Sequence, residues 1–263
     1  MTVSLRPRDV ERLRLAMAHV GSDSFCKHLR NVLRARLRFD TFLVMRMTPQ
    51  TRPDLLAAQL PPTMPSSALT QYLDGAFHLD PFYLKTDIPA QGGLYRLSEI
   101  APDRFFSSEY FIQYYSDTQL IDEIGLLAPL GDGNRAHVSI SRLARTGRFR
   151  AKELACVRTF GPLLIELLFQ HMAALFDTKM HPEAETPTLP DIIRAEIAAR
   201  DRVDLTRREA QIAALVMRGH SNASSALKLG ISRETAKVHR RNLYRKLQLS
   251  SQGELFARLK DLL

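Results

Sequence analysis

The chain has no tryptophan and only two cysteines, Cys26 and Cys156, among its 263 residues. It contains no C-x-x-C pair and no Cys/His cluster, so the sequence supports neither a zinc site nor a redox pair, and no disulfide framework is expected. The longest apolar stretch, residues 160–176, is interrupted by a Gly-Pro pair and by polar side chains, which is not typical of a membrane span. Residues 1–15 lack the apolar core of a signal peptide, so we expect a cytoplasmic protein without membrane contact.

Enzyme motifs are also missing. The sequence has no nucleophile elbow, P-loop, H-E-x-x-H pair or Rossmann fingerprint, and we therefore expect no catalytic activity, no metal and no cofactor. A phosphoacceptor receiver domain should open with a strand that ends in paired acids. This chain opens with two amphipathic helices instead, and Asp9, Asp40 and Asp54 lack that setting.

The positive charge is concentrated near the end of the chain. The formal net charge is +9, and residues 190–263 contain 15 Lys and Arg against 8 Asp and Glu, whereas the other residues contain 22 against 20. A basic segment behind a near-neutral one is typical of a polyanion-binding module attached to another domain. A solvated basic face would give the same count.

Hydrophobic periodicity predicts an α+β protein with an α/β sandwich in front and an all-α module behind. The predicted elements are helices over 8–20, 22–37, 66–76 and 107–115, strands over 39–47, 122–130 and 137–143, one strand within 49–65, turns at 92–93 and 131–134, an aromatic loop over 80–83, and a long helix over 150–176 that Pro162 kinks or splits. We assign residues 1–176 to sensing and dimerisation, 177–200 to a linker that ends in a helix-forming stretch, and 201–263 to the helical module.

The module has clear helix signals. Thr206 and Glu209 form a capping box, Gly219 ends the first helix, and Ser221 or Asn222 caps a second helix with apolar positions at residues 226, 227 and 229. Gly230 closes that helix and Ser232 caps the third. In the third helix Ala236, Leu243 and Leu247 share one face, which predicts a buried stripe.

A row of basic residues lies off that stripe. Arg233, Lys237 and Arg241 are four residues apart, so they line up along the helix surface. Such a row can reach phosphates and guanine edges in the major groove of double-stranded DNA. The alternative is a helix whose charges only face solvent.

These segments resemble the LuxR/GerE type of helix-turn-helix. The matching segments are LTRRE at 205–209, GHSN at 219–222, Ala226, LGIS at 229–232, TAKVH at 235–239 and KL at 246–247, in the family's order and without insertion. The chain departs from the family pattern at Ser224, Ser225 and Ala236. The resemblance implies a four-helix module whose last helix dimerises, and Leu255, Leu259 and Leu262 share a face that would serve this role or would close the module's own core.

We therefore predict a DNA-binding transcriptional regulator that acts as a dimer on a two-fold site. The first choices for DNA contact are Arg233, Lys237 and Arg241. The second choices, mostly for phosphates, are Thr206, Asn222, Thr235, Arg240 and Lys246. RNA polymerase is a further candidate partner.

The front domain resembles the ligand-binding domain of acyl-homoserine-lactone receptors, because Tyr72 precedes Asp80-Pro81 as in their Tyr…Asp-Pro segment. The resemblance implies a GAF-like α/β/α sandwich. Those receptors grip the lactone with pocket tryptophans, which this chain lacks. The resemblance therefore implies a solo or orphan regulator for another small organic effector. The candidate effector-binding residues are Tyr72, Phe77, Asp80, Phe82, Tyr83, Tyr110, Tyr114 and Asp122. Aromatics at helical spacing also occur as plain core.

Two alternatives remain open. The front domain could only dimerise, which gives a ligand-independent regulator. It could also dock a partner protein, in which case the tail serves as a contact module.

Overall fold

A computed structural model describes residues 6–65, 67–176 and 187–260. The helices, in chain order, are α1 (Pro7–Ala18), α2 (Phe25–Arg34), α3 (Ser67–Asp74), α4 (Pro81–Leu84), α5 (Leu97–Ile100), α6 (Ser116–Thr118), α7 (Ala151–Leu175), α8 (Leu189–Asp201), α9 (Arg207–Met217), α10 (Asn222–Leu229), α11 (Arg233–Leu247) and α12 (Gln252–Leu259). The strands are β1 (Thr41–Met47), β2 (Asp54–Gln59), β3 (Gly93–Arg96), β4 (Leu120–Gly131) and β5 (Asn134–Leu143).

The described residues form two compact units. The sheet unit contains residues 6–65, 85–100 and 119–176, and the helical unit contains residues 67–84, 101–118 and 187–260. The helical unit thus combines the predicted module with two segments of the predicted front domain. The predicted linker lies outside the described residues at 177–186, and its helix-forming end is α8.

The sheet unit is built on an antiparallel sheet that has five strands in the described part of the chain, in the order β2-β1-β5-β4-β3. β5 is central, since it pairs with β1 and β4, and nearly all of its residues are buried. Side chains alternate between the two faces of a strand. Val44, Leu126 and Val138 share one hydrophobic core with Leu29 of α2 and Leu168 of α7.

The turn between β4 and β5 follows the prediction. Gly131 pairs with Asn134, which leaves Asp132 and Gly133 as a two-residue loop. Both loop residues have positive φ, 49° and 77°. Two residues of this kind give a type I′ turn, whose twist matches that of the flanking strands.

Helix α7 decides one of the two alternatives predicted for Pro162, because the proline does not split the helix. The residues on both sides belong to one helix, Ala151–Leu175, that is neither split nor ended there. A proline inside a helix costs about 3 kcal/mol. Val157, Leu164 and Leu168 of α7 are buried in the core of the sheet unit, and this burial offsets the cost. Among the described residues, every helix is too short or too polar to cross a lipid bilayer.

Two other predictions were wrong in detail. The predicted turn is present at Gly92, whose amide donates to the Pro89 carbonyl oxygen at 2.7 Å, but Gly93 already belongs to β3, a four-residue strand that pairs with β4. The helix predicted over 107–115 is present but shifted: residues 105–107 form a 3₁₀ turn, and residues 109–118 are helical with a π-helical turn at Phe111–Tyr115. The rings of Phe105, Phe111 and Tyr115 pack against one another in this segment, with centroids 4.5 to 6.1 Å apart.

Candidate nucleic-acid interface

The helices of the module begin at the predicted caps. The Thr206 hydroxyl accepts a hydrogen bond from the Glu209 amide at 3.2 Å, and Glu209 Oε2 accepts one from the Thr206 amide at 2.8 Å. Ser221 caps α10 and Ser232 caps α11 in the same way, through the amides of the third residue that follows each. These bonds satisfy amides that a helix start leaves without partners, and they fix where α10 and α11 begin.

Helix α11 has one buried face and one basic face. Ala236, Leu243 and Leu247 are buried, which confirms the predicted stripe. The side chains of Arg233 and Lys237 are exposed, as is that of Arg241 one turn further on. Because the helix packs on α9 and α10 through the stripe, it presents the three cations to solvent in one row.

Two more candidates link α11 to the start of α10. Arg240 Nη1 lies 3.4 Å from Asn222 Oδ1, and Arg240 Nη2 donates to the Tyr244 hydroxyl at 3.0 Å. Thr235 is exposed next to Ser232, with its hydroxyl 2.8 Å from Ser232 Oγ. The first turn of α10 is therefore a neighbour of the middle of α11.

Of the remaining candidates, Thr206 is the N-cap residue of α9, and the side chain of Lys246, in α11, reaches that cap. Lys246 Nζ donates to Glu209 Oε2 and to the Asp204 carbonyl oxygen, at 2.8 and 2.9 Å. Burial alone would raise the pKa of Glu209, but hydrogen bonds from Lys246 and Thr206 outweigh it and lower the pKa. This ion pair fastens the end of α11 to the start of α9. Any phosphate contact by Lys246 would have to share the ammonium group with Glu209.

One predicted apolar face is corrected, and for a second the structure favours one of the two alternatives. On α10 the buried residues are Ser225 and Ala226, whereas Leu227 is 85% exposed. On α12, Leu255 and Leu259 are completely buried in a single chain, so they close the core of the chain itself and are not available to a partner. Leu262 lies outside the described residues.

The predicted effector residues of the helical unit are brought together around Asp80. The Tyr72 hydroxyl donates to Asp80 Oδ2 at 2.5 Å, and the Phe82 amide donates to Asp80 Oδ1 at 2.8 Å. Tyr72 lies 6.4 Å from Tyr114 between ring centroids. An effector that hydrogen-bonds Asp80 would therefore share the carboxylate with Tyr72.

The other aromatic candidates form two pairs. Tyr110 stacks on Tyr114 at 5.5 Å, and Phe77 meets Tyr83 edge-on at 4.8 Å. Phe77, Phe82, Tyr83 and Tyr110 are buried.

Asp122 lies in the sheet unit. It is buried and accepts hydrogen bonds from Arg96 at 2.6 and 2.8 Å and from the Phe149 amide at 2.8 Å. This ion pair joins β3 to β4, and the amide bond ties the start of the α7 segment to the sheet. No cluster of three or more metal-binding side chains occurs in the part of the chain that the structure describes.

Sequence reasoning missed the surroundings of the turn between α9 and α10. Arg218 Nε donates to the His78 carbonyl oxygen at 3.1 Å, and the Ser221 amide donates to Asp103 Oδ1 at 3.1 Å. Burial lowers the pKa of Arg218 to about 10, so the guanidinium stays charged at neutral pH. The local sequence signal at this turn was Gly219, which was identified only as a helix end and which has a positive φ of 85°.

His220, in this turn, predicts a pH dependence of stability. Burial, and then the positive charge of Lys228, lower its pKa to about 4. The unfolded chain takes up this proton near pH ~6.5 and the folded chain only near the lower pKa. The free energy of unfolding should therefore fall as the pH falls between these values, by up to about 3 kcal/mol.

In the variant His220→Gln, which cannot titrate, urea unfolding between about pH 7.5 and about pH 4.5 should show a shallower loss of stability. If the variant and the wild type lost the same free energy of unfolding over this pH range, His220 would have the same pKa in the folded and the unfolded chain.

Known proteins are similar both to the module alone and to most of the chain. Residues 203–258 match the luxR family of bacterial regulatory proteins, GerE. The chain is 30% identical over 181 residues to an HTH-type transcriptional regulator in the exeN 3′ region of Aeromonas salmonicida, covering 67% of this chain and 91% of that protein. It is 47% identical over 60 residues to the response regulator protein TodT of Pseudomonas putida, covering 22% of this chain and 26% of TodT.

The fold has a counterpart among solved structures. The VqsR LBD domain from Pseudomonas aeruginosa superposes with a TM-score of 0.56 and 22% identity, over 65% of this chain and 99% of that domain. At this identity the likeness concerns the fold alone. With the match at 203–258 and the similarity to the Aeromonas regulator over nearly its whole length, we conclude that the chain belongs to the luxR family of bacterial regulatory proteins and is a transcriptional regulator, not an enzyme.

Proposed function

We propose that the chain binds duplex DNA by placing α11 in the major groove, as a dimer on a two-fold site, and that a small organic effector bound near Asp80 controls this binding. The observation that carries the DNA proposal is the exposed row Arg233, Lys237 and Arg241 on a helix held from behind by a buried stripe. Arginine can donate two hydrogen bonds to guanine O6 and N7 in the major groove, and lysine neutralises phosphates.

The neighbouring groups fit a secondary role. Asn222 lies in the first turn of α10, Thr235 in the first turn of α11, and Arg240 in the middle of α11 next to Asn222, so all three could contact phosphates that flank a helix in the groove. Thr206 and Lys246 are engaged in the cap of α9, so we place them behind the others as phosphate contacts. The proposal also includes RNA polymerase as a partner of the chain, and no residue is assigned to that contact.

Salt dependence of DNA binding tests this role. The logarithm of the binding constant falls with the logarithm of salt concentration in proportion to the number of phosphates neutralised. Lys237→Ala should weaken binding and reduce the magnitude of this slope by about 1 if Lys237 contacts a phosphate. Lys260→Ala, which removes an exposed cation from the end of the module, is the matched control and should leave the slope unchanged. If Lys237→Ala showed the same salt dependence of the binding constant as Lys260→Ala, Lys237 would not contact a phosphate.

The effector proposal rests on the aromatic surroundings of Asp80. Aromatic walls with a few polar groups are typical of small-molecule sites. A bound compound should raise the melting temperature in proportion to the logarithm of its excess over the dissociation constant. We expect such a shift from an apolar metabolite that carries an amide or hydroxyl group, and a smaller shift in Asp80→Asn. If no compound of this class shifts the wild type, the ligand-independent alternative is favoured.

A further inference from the structure

Residues 103–105 lie against the turn that leads into α10, within the helical unit. We infer that this segment competes with DNA for the module, and that Asp103 occupies the place of a DNA phosphate at the N-terminus of α10. The inference rests on the proposed function, since it assumes that the module binds DNA. The inference adds to the proposed function a specific inhibitory contact, between Asp103 and Ser221, that must open before the module can bind DNA.

The first observation is the position of the Asp103 carboxylate. Its Oδ1 accepts a hydrogen bond from the amide of Ser221, the residue that caps α10. A helix N-terminus carries partial positive charge and unpaired amides, and it therefore attracts carboxylates and phosphates alike. Burial would raise the pKa of Asp103, but hydrogen bonds from Ser221 outweigh it and lower the pKa, so the group is an anion at neutral pH.

The second observation is the fit of the backbone beside this contact. The Arg104 amide donates to the Gly219 carbonyl oxygen at 2.9 Å. Gly219 has φ of +85°, and a Cβ added there would lie 2.6 Å from Phe105 Cα. Only glycine allows both the turn and the close approach of the segment. His220, the next residue, is buried.

The third observation is the side of the module that the segment covers. Asn222, next to Ser221, receives the contact from Arg240 of α11, so the Asp103 site lies beside the basic face of α11. In helix-turn-helix proteins, the helix before the recognition helix crosses the DNA backbone, and helix N-termini commonly bind its phosphates. A carboxylate held here blocks an amide donor and places negative charge where a phosphate would sit.

The same turn is tied to the effector region. Arg218 donates to the His78 carbonyl oxygen, and His78 lies between Phe77 and Asp80, two of the candidate effector residues. An effector that moves residues 76–80 would therefore change the contact that holds this turn. The linkage gives the effector a physical route to the DNA-binding face.

Asp103→Ala in the full-length chain tests the inference. Asp103 is exposed, so the variant should fold. Removing the competing anion should tighten binding to duplex DNA by at least about fivefold in the absence of any added compound. Asp117→Ala, which removes another exposed acid of the same unit, is the control for the change in net charge and should have a smaller effect. Equal affinities of the Asp103 variant and the wild type, or equal gains in both variants, would overturn the inference.

Hydrogen exchange supplies an independent readout. The Ser221 amide should exchange faster in Asp103→Ala than in the wild type, because it loses its acceptor. Unchanged exchange would show that the contact is not made in solution and would overturn the inference. Failure of the proposed function looks different: then neither the wild type nor the Asp103 variant binds duplex DNA at low salt, and Lys237→Ala changes nothing. If the wild type binds in a Lys237-dependent way and Asp103→Ala has no effect, only the inhibitory contact is rejected.

Discussion

Replacing Arg233, Lys237 and Arg241 together by alanine should weaken binding to a DNA site selected by the wild-type chain by about a hundredfold or more. Each contact to a base edge or a phosphate in such an interface is worth about 1–3 kcal/mol, and about 1.4 kcal/mol corresponds to a factor of ten. The three side chains are exposed, so their loss should leave the fold intact. Fluorescence anisotropy with a labelled duplex measures the effect, and circular dichroism checks the fold.

The control for this variant removes the same charge from the sheet unit. Arg145, Arg148 and Lys152 are exposed cations there, and their replacement by alanine should lower affinity only slightly. If both triple variants lost affinity equally, binding would depend on net charge and not on the face of α11.

Leu243→Ala should destabilise the helical unit by about 2–5 kcal/mol. Leu243 is completely buried in the stripe by which α11 packs on the module, and truncating such a leucine removes buried surface and leaves a cavity. The loss is a large fraction of the stability of a domain of ordinary size, so DNA binding should fall with it. Urea unfolding monitored by circular dichroism measures the free energy.

The chain supplies a matched control for this substitution. Leu227 is also a leucine of the module, one helix earlier, but its side chain is 85% exposed. Leu227→Ala should change the free energy of unfolding by no more than about 0.5 kcal/mol. Similar losses in the two variants would contradict the described packing of α10 and α11.

Local signals made much of the module predictable. The capping box at Thr206 and Glu209, the cap at Ser232 and the stripe through Leu243 each depend on residues within a few positions of one another. The turn at Asp132 and Gly133 is of the same kind, because positive φ at two successive positions needs such residues. The family resemblance that these segments carry is confirmed by the match at residues 203–258.

Short elements and long-range contacts were less predictable. α10 has eight residues, and its apolar residues fit more than one face, so the sequence did not reveal that Ser225 is buried and Leu227 exposed. β3 is only four residues long and starts at a glycine. Lys246 has no local sign of its pairing with Glu209, since the two residues meet only when α11 packs on α9.

The candidate effector site was predictable only as a set of aromatic and acidic residues. The resemblance identified Tyr72 and Asp80, and the structure adds that they are hydrogen-bonded to each other. The contact between Asp103 and Ser221 joins residues far apart in sequence through a backbone amide. No side-chain pattern encodes such a bond, and therefore it could be found only in the structure.

The most direct test of the central claim is methylation protection of guanine N7 on a duplex selected from random DNA by the full-length wild-type chain. Guanine N7 lies in the major groove, so a helix inserted there should shield it. We predict protected guanines in two related half-sites, with the protection lost at specific guanines in Arg233→Ala and Arg241→Ala. Tight binding without any protected guanine N7 would contradict the placement of α11 in the groove. Protection in both variants that is unchanged from the wild type would contradict it as well.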